Sequence, residues 1–158
     1  MNASPLLRVE PLLPTDMRAC AAIMAGSDPW RTLGVTLDTA LHRFMADPCP
    51  TVVARPPDHD EPLGFIRYRP QGFIDRFAYI HIVAVSEAAR GQRVGEALMA
   101  RVEEVCFATT PHLFLFCSSF NEGAQRFYRR LGYRQVGDVP QLIHPEHGEL
   151  LFMKSRPA

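Results

Sequence analysis

The stretch AYIHIVAVSEAARGQRVGEALMA, residues 78–100, changes its hydrophobic period within a few positions. Apolar side chains alternate up to Val85, which is the spacing of a β-strand, and then recur at Val94 and Leu98, which is the spacing of a helix. A polar turn that contains Gly91 separates the two patterns. A strand, a glycine-bearing turn and a helix in this order place the N–H groups of a helix start beside a strand end. That arrangement binds an anion such as a phosphate.

The composition predicts one domain over residues 1–158, because this length with 47% hydrophobic content suffices for one core. Seventeen Lys and Arg residues balance 17 Asp and Glu residues. A balanced charge without basic clusters excludes the electrostatic signature of nucleic-acid binding and of attraction to an anionic membrane. A small neutral or zwitterionic partner fits this composition better.

The sequence also predicts a cytoplasmic location. The first 14 residues lack the basic start and the long apolar run of a signal peptide. No stretch approaches the roughly 20 apolar residues that cross a bilayer. The cysteines have no C-x-x-C spacing, so we expect reduced thiols and neither a zinc ribbon nor a disulfide framework. They are Cys20, Cys49, Cys106 and Cys117.

The first half of the chain predicts a strand, two helices and a three-stranded meander. Thr15 or Asp16 is expected to cap the first helix, and Met45 is expected on the apolar face of the second with Leu37, Leu41 and Phe44. A turn is expected at Pro70–Gly72. The predicted strands lie at 6–13, 51–54, 63–69 and 78–85, and the helices at 16–25 and 36–45.

The second half predicts two helices and three strands. The segment 112–117 is apolar on both faces, so we expect it to be buried as a parallel neighbour of strand 78–85, reached through a crossover helix. A loop is expected at 139–148. The helices are predicted from 94 to about 109 and at 121–131, and the last two strands at 133–138 and 149–154.

Two motifs resemble those of the Gcn5-related N-acetyltransferase (GNAT) superfamily. The first is RGQRVG, Arg90 to Gly95, five residues after Val85. Its departure is Arg93, where the family usually has glycine; helical dihedrals are expected to tolerate arginine there. The second is NEGAQRFYRRLGYR, residues 121–134, whose matching residues Asn121, Ala124 and Tyr128 share a helix face. The resemblance extends over roughly residues 8–154.

This resemblance implies an α/β (α+β) fold and an acyl-CoA site. The expected fold is a mixed, mostly antiparallel sheet of six to seven strands with about four helices and a splayed parallel strand pair. Acetyl-CoA is the implied cosubstrate, without a metal. The turn amides would hold the pyrophosphate, and the strand end would pair with the pantetheine amides. The expected cofactor-binding residues are Val83, Ala84, Val85, Arg90, Gly91, Gln92, Arg93, Val94, Gly95, Asn121, Ala124 and Tyr128.

The resemblance also implies catalytic roles. Tyr128 is similar to the tyrosine that protonates the coenzyme sulfur, with a core aromatic as the alternative. Tyr79 and His81 alternate on one strand face, and His81 is a candidate base, directly or through water, because histidine titrates near neutral pH. A hydrogen-bonded structural histidine is the alternative at that position, and simple helix capping is the alternative for Asn121.

The acceptor is expected at segments 26–35, 70–77 and 139–148, with Trp30, Phe73 and Arg76 as candidate contacts. Trp30 serves equally well as a packing anchor. The expected reaction is direct acetyl transfer to a small primary amine in a ternary complex. Acetylation of a protein N-terminus or lysine, and a non-catalytic acyl-CoA sensor, stay open, and a homodimer is compatible with the resemblance. The runs DHDE at 58–61 and HPEH at 144–147 lie in proline-flanked segments without zinc-like spacing, so no metal is predicted.

Overall fold

The structure is a computed structural model that describes residues 6–158. These residues form one seven-stranded sheet and four α-helices. The strands are β1 (Arg8–Pro11), β2 (Thr51–Arg55), β3 (Gly64–Phe73), β4 (Phe77–Val85), β5 (His112–Ser118), β6 (Arg134–His144) and β7 (His147–Ser155). The helices are α1 (Met17–Ala25), α2 (Leu37–Ala46), α3 (Val94–Phe107) and α4 (Glu122–Arg130).

The strand order is β1-β2-β3-β4-β5-β7-β6. Strands β4 and β5 pair in parallel, with α3 as the crossover, whereas β1–β2, β2–β3, β5–β7 and β6–β7 pair antiparallel. The parallel register runs from Ala78–Leu113 to Ile80–Leu115, and β4 continues beyond it to Val85. The mixed sheet, the four helices and the short parallel pair confirm the predicted fold class.

The chain divides into two compact units, and the single domain expected over 1–158 stays a prediction. Among the described residues, the first unit is the segment from residue 6 to Arg67 with Ile82–Val102, and the second is Tyr68–His81 with Glu103–Ala158. In the first unit, Met24, Phe44 and Phe65 belong to one buried cluster. In the second, Leu113, Leu115 and Phe152 are almost fully buried. No helix within residues 6–158 has the length and apolarity needed to cross a bilayer.

The predicted turn at Pro70–Gly72 is wrong, because β3 continues through it to Phe73. The chain reverses instead at Ile74 and Asp75, which have φ of 49° and 53°, and Arg76 N donates to Phe73 O over 3.2 Å. A Cβ at Gly72 would lie 2.5 Å from Cβ of Arg69. Gly72 therefore lies inside the strand because a side chain there would collide with Arg69. The turn itself contains no glycine.

The predicted loop at 139–148 is also wrong. Strands β6 and β7 occupy almost all of it as a hairpin that turns at residues 145–146. Register shifts between Gln135 and Gly137 and between Val139 and His144 interrupt the ladder. Irregular pairing of this kind accommodates a proline such as Pro140 within the strand.

Two expectations about the early helices need correction. The Asp16 side chain does not cap α1. Its carboxylate instead accepts from the N–H of Leu13 (2.7 Å) and pairs with the buried Arg55 guanidinium (2.7 Å). In α2, Met45 is 69% exposed, and Ala40 is the buried residue next to Phe44. The cap predicted for the fourth helix is confirmed, since Asn121 Oδ1 accepts from Ala124 N.

Candidate functional site

The turn between β4 and α3 is shaped by two residues in the left-handed region. Gly91 has φ of 77° and Arg93 has φ of 61°. Helix α3 follows at once, and Ala97 N donates to Arg93 O over 3.1 Å. The first N–H groups of a helix have no partner within the helix, and a left-handed residue beside them folds the backbone donors into a concave anion site. The geometry therefore suits a phosphate group.

The helical dihedrals expected at Arg93 are wrong. With φ of 61°, this residue is in a conformation that L side chains adopt at a cost of about 1–2 kcal/mol. Glycine has no such cost, which gives a physical reason for the glycine usual at this position of the motif. The arginine side chain is 68% exposed, and its Nε contacts Glu96 Oε2 at 2.7 Å. The side chain thus points into solvent and does not fill the turn.

The end of β4 supplies the second part of the predicted cofactor site. Ala84 is buried, whereas Val83 and Val85 are half-buried on the alternate side of the strand. Strand β3 approaches closely, since a Cβ at Gly64 would lie 2.7 Å from Ala84 O. Because Gly64 has no side chain, the backbone of β4 at Ala84 can lie this close to β3.

Tyr128 lies in the second unit on the buried side of α4. Its ring packs against Phe127, Tyr133 and Phe152, with centroid distances of 5.4, 6.0 and 6.0 Å. Burial raises the pKa of the Tyr128 hydroxyl, and the neighbouring Cys117 and Tyr79 raise it further. The hydroxyl therefore keeps its proton at neutral pH and is available as a donor. The packing also means that Tyr128 contributes to the core.

Tyr79 and His81 lie on one face of β4, as the period of the strand predicts. Their ring centroids are 6.2 Å apart, and the Tyr79 ring also lies 6.3 Å from that of Phe116. His81 is exposed and Tyr79 half-buried. Burial, followed by the charge of Glu149, raises the pKa of Tyr79.

Glu149 is a site candidate that the sequence did not reveal. Its side chain lies on β7 and is only 2% exposed, and its Oε1 accepts a hydrogen bond from Ser118 Oγ at 2.9 Å. Burial raises the pKa of Glu149. The signal in the sequence was one acidic residue at the start of a predicted strand, GELLFM. That position is usually exposed, so the burial could not be anticipated.

The predicted acceptor residues are divided between the two units. Phe73 stacks on Phe114, with centroids 4.0 Å apart, and the Arg76 guanidinium lies 5.5 Å from the Phe77 ring centroid, all within the second unit. Trp30, in the first unit, packs against the buried cluster there. The contacts of Trp30 are those of the packing anchor that was its alternative role.

Three other chemical candidates have structural explanations. Asp60 of the DHDE run accepts from Arg8 at 2.9 Å, which lowers the pKa of that carboxyl. Burial raises the pKa of Cys117 to about 12, so the thiol is neutral. In the HPEH run, the side-chain nitrogen and oxygen atoms of His144, Glu146 and His147 lie within 4.8 Å of one another, and His144 Nδ1 accepts from the Glu146 N–H. We interpret this group as part of the hairpin turn.

Comparison with known proteins identifies related sequences. The sequence model of the acetyltransferase (GNAT) family matches residues 17–133, which is most of the chain. An uncharacterized protein of Mycobacterium leprae (strain TN) is 28% identical over 152 residues, which is 93% of this chain. This chain spans 40% of the length of that relative.

Solved structures share the fold. An acetyltransferase of the GNAT family from Bacillus cereus has a TM-score of 0.73 at 16% identity and covers 97% of this chain and 99% of its own. An aminoglycoside 6'-N-acetyltransferase complexed with coenzyme A has a TM-score of 0.76 at 18% identity (96% and 99%). Arabidopsis thaliana NAA60 in complex with acetyl-CoA has a TM-score of 0.74 at 19% identity (94% and 98%). At these identities the likeness shows the fold alone.

Proposed function

Because the chain belongs to the acetyltransferase (GNAT) family, we propose that it transfers the acetyl group of acetyl-CoA to a primary amine of a small molecule. The transfer takes place directly, in a ternary complex. The observation that carries the proposal is the β4–α3 turn, in which Gly91 and Arg93 both have positive φ immediately before a helix start. Such a turn suits the pyrophosphate of a coenzyme.

The coenzyme would be held mainly by backbone groups. In the turn Arg90–Gly95, the N–H groups of Arg90 and Gln92 already donate to Glu87 O and Ala89 O. The pyrophosphate would be bound by the other N–H groups of the turn and by the dipole of α3. The backbone of Val83–Val85, which lies beyond the last pair of the parallel register, would pair with the pantetheine amides. Ala124 stays a predicted cofactor-binding residue. Asn121 would contribute mainly by capping α4, since its Oδ1 already accepts from the helix. Fold neighbours solved with coenzyme A and with acetyl-CoA support this part of the proposal.

The chemistry requires one proton donor and at least one proton acceptor. The amine nitrogen attacks the thioester carbonyl, so that a C–N bond forms and the C–S bond breaks. Tyr128, which holds its proton at neutral pH, gives that proton to the departing thiolate. His81 takes a proton from the incoming ammonium and returns it to solvent, consistent with its exposure. Tyr79 orients the amine or its water. Acid and base assistance of this kind contributes about 10²–10⁴-fold in rate.

The acceptor is proposed to be a small amine. The balanced charge of the chain, 17 basic and 17 acidic residues, offers no acidic surface excess for a basic peptide. Phe73 and Arg76 are a suitable pair for an amine that also carries an apolar group or a carboxylate. The four cysteines are free thiols, which supports the proposed cytoplasmic location. A homodimer stays a prediction.

Two measurements test the proposal. Calorimetry with acetyl-CoA is expected to show one binding site per chain, and no measurable heat of binding would end the functional proposal. Thiol release is then measured across amino acids, polyamines, aminoglycosides and short peptides. Turnover confined to small amines is expected. Turnover confined to peptides would mean that the acceptor is a peptide and not a small amine. Binding of acetyl-CoA without any turnover would indicate a sensor.

Tyr128→Phe tests the proposed proton donor. We expect kcat to fall about 10²-fold, with the affinity for acetyl-CoA unchanged, because the ring remains and only the proton is lost. Tyr133→Phe is the matched control, since Tyr133 is also buried and contacts the same ring. Equal losses of kcat in the two variants would assign Tyr128 to packing only.

A further inference from the structure

One face of the paired strands β4 and β5 carries aromatic rings that are only partly covered. On the opposite face, Ile80 of β4 and Leu113 and Leu115 of β5 are at most 2% exposed. Because side chains alternate along a strand, the residues between these share the other face. We call five residues of that face the aromatic surface: Phe77 and Tyr79 on β4, and His112, Phe114 and Phe116 on β5. Phe114 is buried, and the other four are half-buried.

The rings of the aromatic surface form a continuous series within the second unit. The Phe77 ring centroid lies 5.3 Å from that of His112 and 5.8 Å from that of Phe114. Tyr79 is the register partner of Phe114, and its ring centroid lies 6.3 Å from that of Phe116. Centroid distances of about 4.5–7 Å are those of interacting aromatic pairs. A series of half-buried rings is typical of a ligand-binding surface, since such sites are lined mainly by apolar and aromatic side chains.

The aromatic surface begins beside the candidate base. The His81 ring centroid lies 6.2 Å from that of Tyr79, and both side chains project from the same face of β4. Phe77 is four residues from His81, a distance of about 13 Å along a strand. An acceptor whose nitrogen reacts next to His81 can therefore place a substituent of several carbon atoms along these rings.

The chemistry of the aromatic surface distinguishes between acceptor classes. None of its five side chains is acidic, and Glu149, whose carboxylate accepts from Ser118 farther along β5, is only 2% exposed. The second ammonium of a polyamine therefore finds no carboxylate among these side chains. The hydroxyl groups of an aminoglycoside would lose water over phenylalanine rings without new hydrogen bonds. An aromatic ring, in contrast, gains edge-to-face or offset-stacked contacts.

We propose that the acceptor is an arylalkylamine, a primary amine joined to an aromatic ring by a short carbon chain; this inference rests on the proposed function. The nitrogen reacts beside His81, and the aromatic ring of the acceptor packs against Tyr79 and Phe116. Of the two substituents that suit Phe73 and Arg76, an apolar group and a carboxylate, the aromatic surface favours the apolar group.

Two amines of similar size test the aromatic contact. Both 2-phenylethylamine and 2-cyclohexylethylamine carry an apolar ring at the same distance from the nitrogen, but only the first ring is aromatic. Thiol release at saturating acetyl-CoA is expected to give 2-phenylethylamine the higher kcat/KM, by about 2- to 10-fold. Putrescine is expected to have a lower kcat/KM than either.

Phe116→Leu tests whether this preference arises at the aromatic surface. Leucine keeps an apolar contact and removes the ring, so the ratio of the two kcat/KM values is expected to fall towards one. Phe107→Leu is the matched control, since Phe107 belongs to the same unit and lies at the end of α3, outside the aromatic surface. It is expected to keep the ratio of the parent. The ratio does not depend on the fraction of enzyme that is folded, so a loss of stability in either variant does not obscure the result.

Equal kcat/KM values for the two amines in the parent, or a ratio that Phe116→Leu leaves unchanged, would overturn the inference while the proposed function stands. Turnover confined to polyamines, aminoglycosides or amino acids without an aromatic ring would have the same consequence. Absence of turnover with every amine would remove the inference together with the proposed function.

Discussion

At the scale of single residues, Arg93 shows how a motif can be predicted while its geometry is not. The RGQRVG spacing identifies the turn, yet spacing carries no information on the sign of φ. The structure has Arg93 at φ of 61° and Gly91 at 77°. Only Gly91 has a residue type that adopts this region without strain. The family's glycine is therefore explained by backbone conformation at this site.

Arg93→Gly is expected to stabilise the protein by about 0.5 kcal/mol. Relief of the left-handed conformation, about 1–2 kcal/mol, exceeds the added chain entropy of glycine, about 0.5–1 kcal/mol. Arg90→Gly is the control in the same turn, since Arg90 has φ of −62° and ψ of 144° and gains nothing from glycine. The urea concentration at the midpoint of unfolding is expected to be higher for Arg93→Gly than for the parent, and lower for Arg90→Gly. The reverse order would contradict the strain at Arg93.

The candidate catalytic residues differ in how far the sequence predicts them. Tyr79 and His81 share a face because a strand has a period of two, which any strand assignment supplies. Glu149 joins them only through the pairing of Ser118 with Glu149 between β5 and β7. Register between distant strands is a property of the folded sheet. No local pattern in the sequence specifies it, and the buried carboxylate could therefore be found only in the structure.

At the scale of elements, the helices and strands were predictable, whereas the turns between β3 and β4 and between β6 and β7 were predicted at the wrong positions. Apolar periodicity predicts α2, α3, β4 and β5 within a few residues. The errors lie where proline and glycine occur inside strands, at Pro70–Gly72 in β3 and near Pro140 in β6. These residues normally indicate turns. Bulges and close strand approach, which involve partner strands, allow them within the sheet.

Gly64→Ala tests the close approach of β3 to β4. The new Cβ would lie 2.7 Å from Ala84 O, so one backbone must shift. We expect a loss of about 1–3 kcal/mol in the free energy of unfolding and weaker binding of acetyl-CoA, because Ala84 belongs to the proposed pantetheine strand. Gly137→Ala is the control, since its Cβ would lie 3.5 Å from Leu151 Cβ, an ordinary contact. Unchanged coenzyme affinity in Gly64→Ala would argue against a role for the β4 backbone.

At the scale of the whole molecule, the change of period near Val85 and the apolar strand after α3 predicted one local part of the fold, and the fold class itself followed from the resemblance of two motifs to the GNAT superfamily. The change of period and the apolar strand imply a parallel pair with a crossover helix, and the remaining short alternating strands imply antiparallel neighbours. The division into two compact units was not predicted, because its boundaries fall inside continuous elements, between Arg67 and Tyr68 in β3 and between His81 and Ile82 in β4. Strands show no compositional break at such positions.

The pH dependence of global stability tests whether burial of the ionised Glu149 carboxylate destabilises the fold. Burial raises the pKa of this carboxyl in the folded protein, so the folded state binds its proton more tightly than the unfolded state, whose value is about 4.3. The resulting stabilisation is fully present below the unfolded-state value and is lost as pH rises through the folded-state pKa. Glutamine does not ionise and avoids this loss.

Glu149→Gln is therefore expected to unfold at the same urea concentration as the parent near pH 4 and at a higher concentration at pH 8. Glu103→Gln is expected to unfold at a lower concentration at pH 8, because it loses the ion pair with Lys154. A Glu149→Gln midpoint below that of the parent at pH 8 would mean that the ionised carboxylate stabilises the fold, and its burial would then be structural.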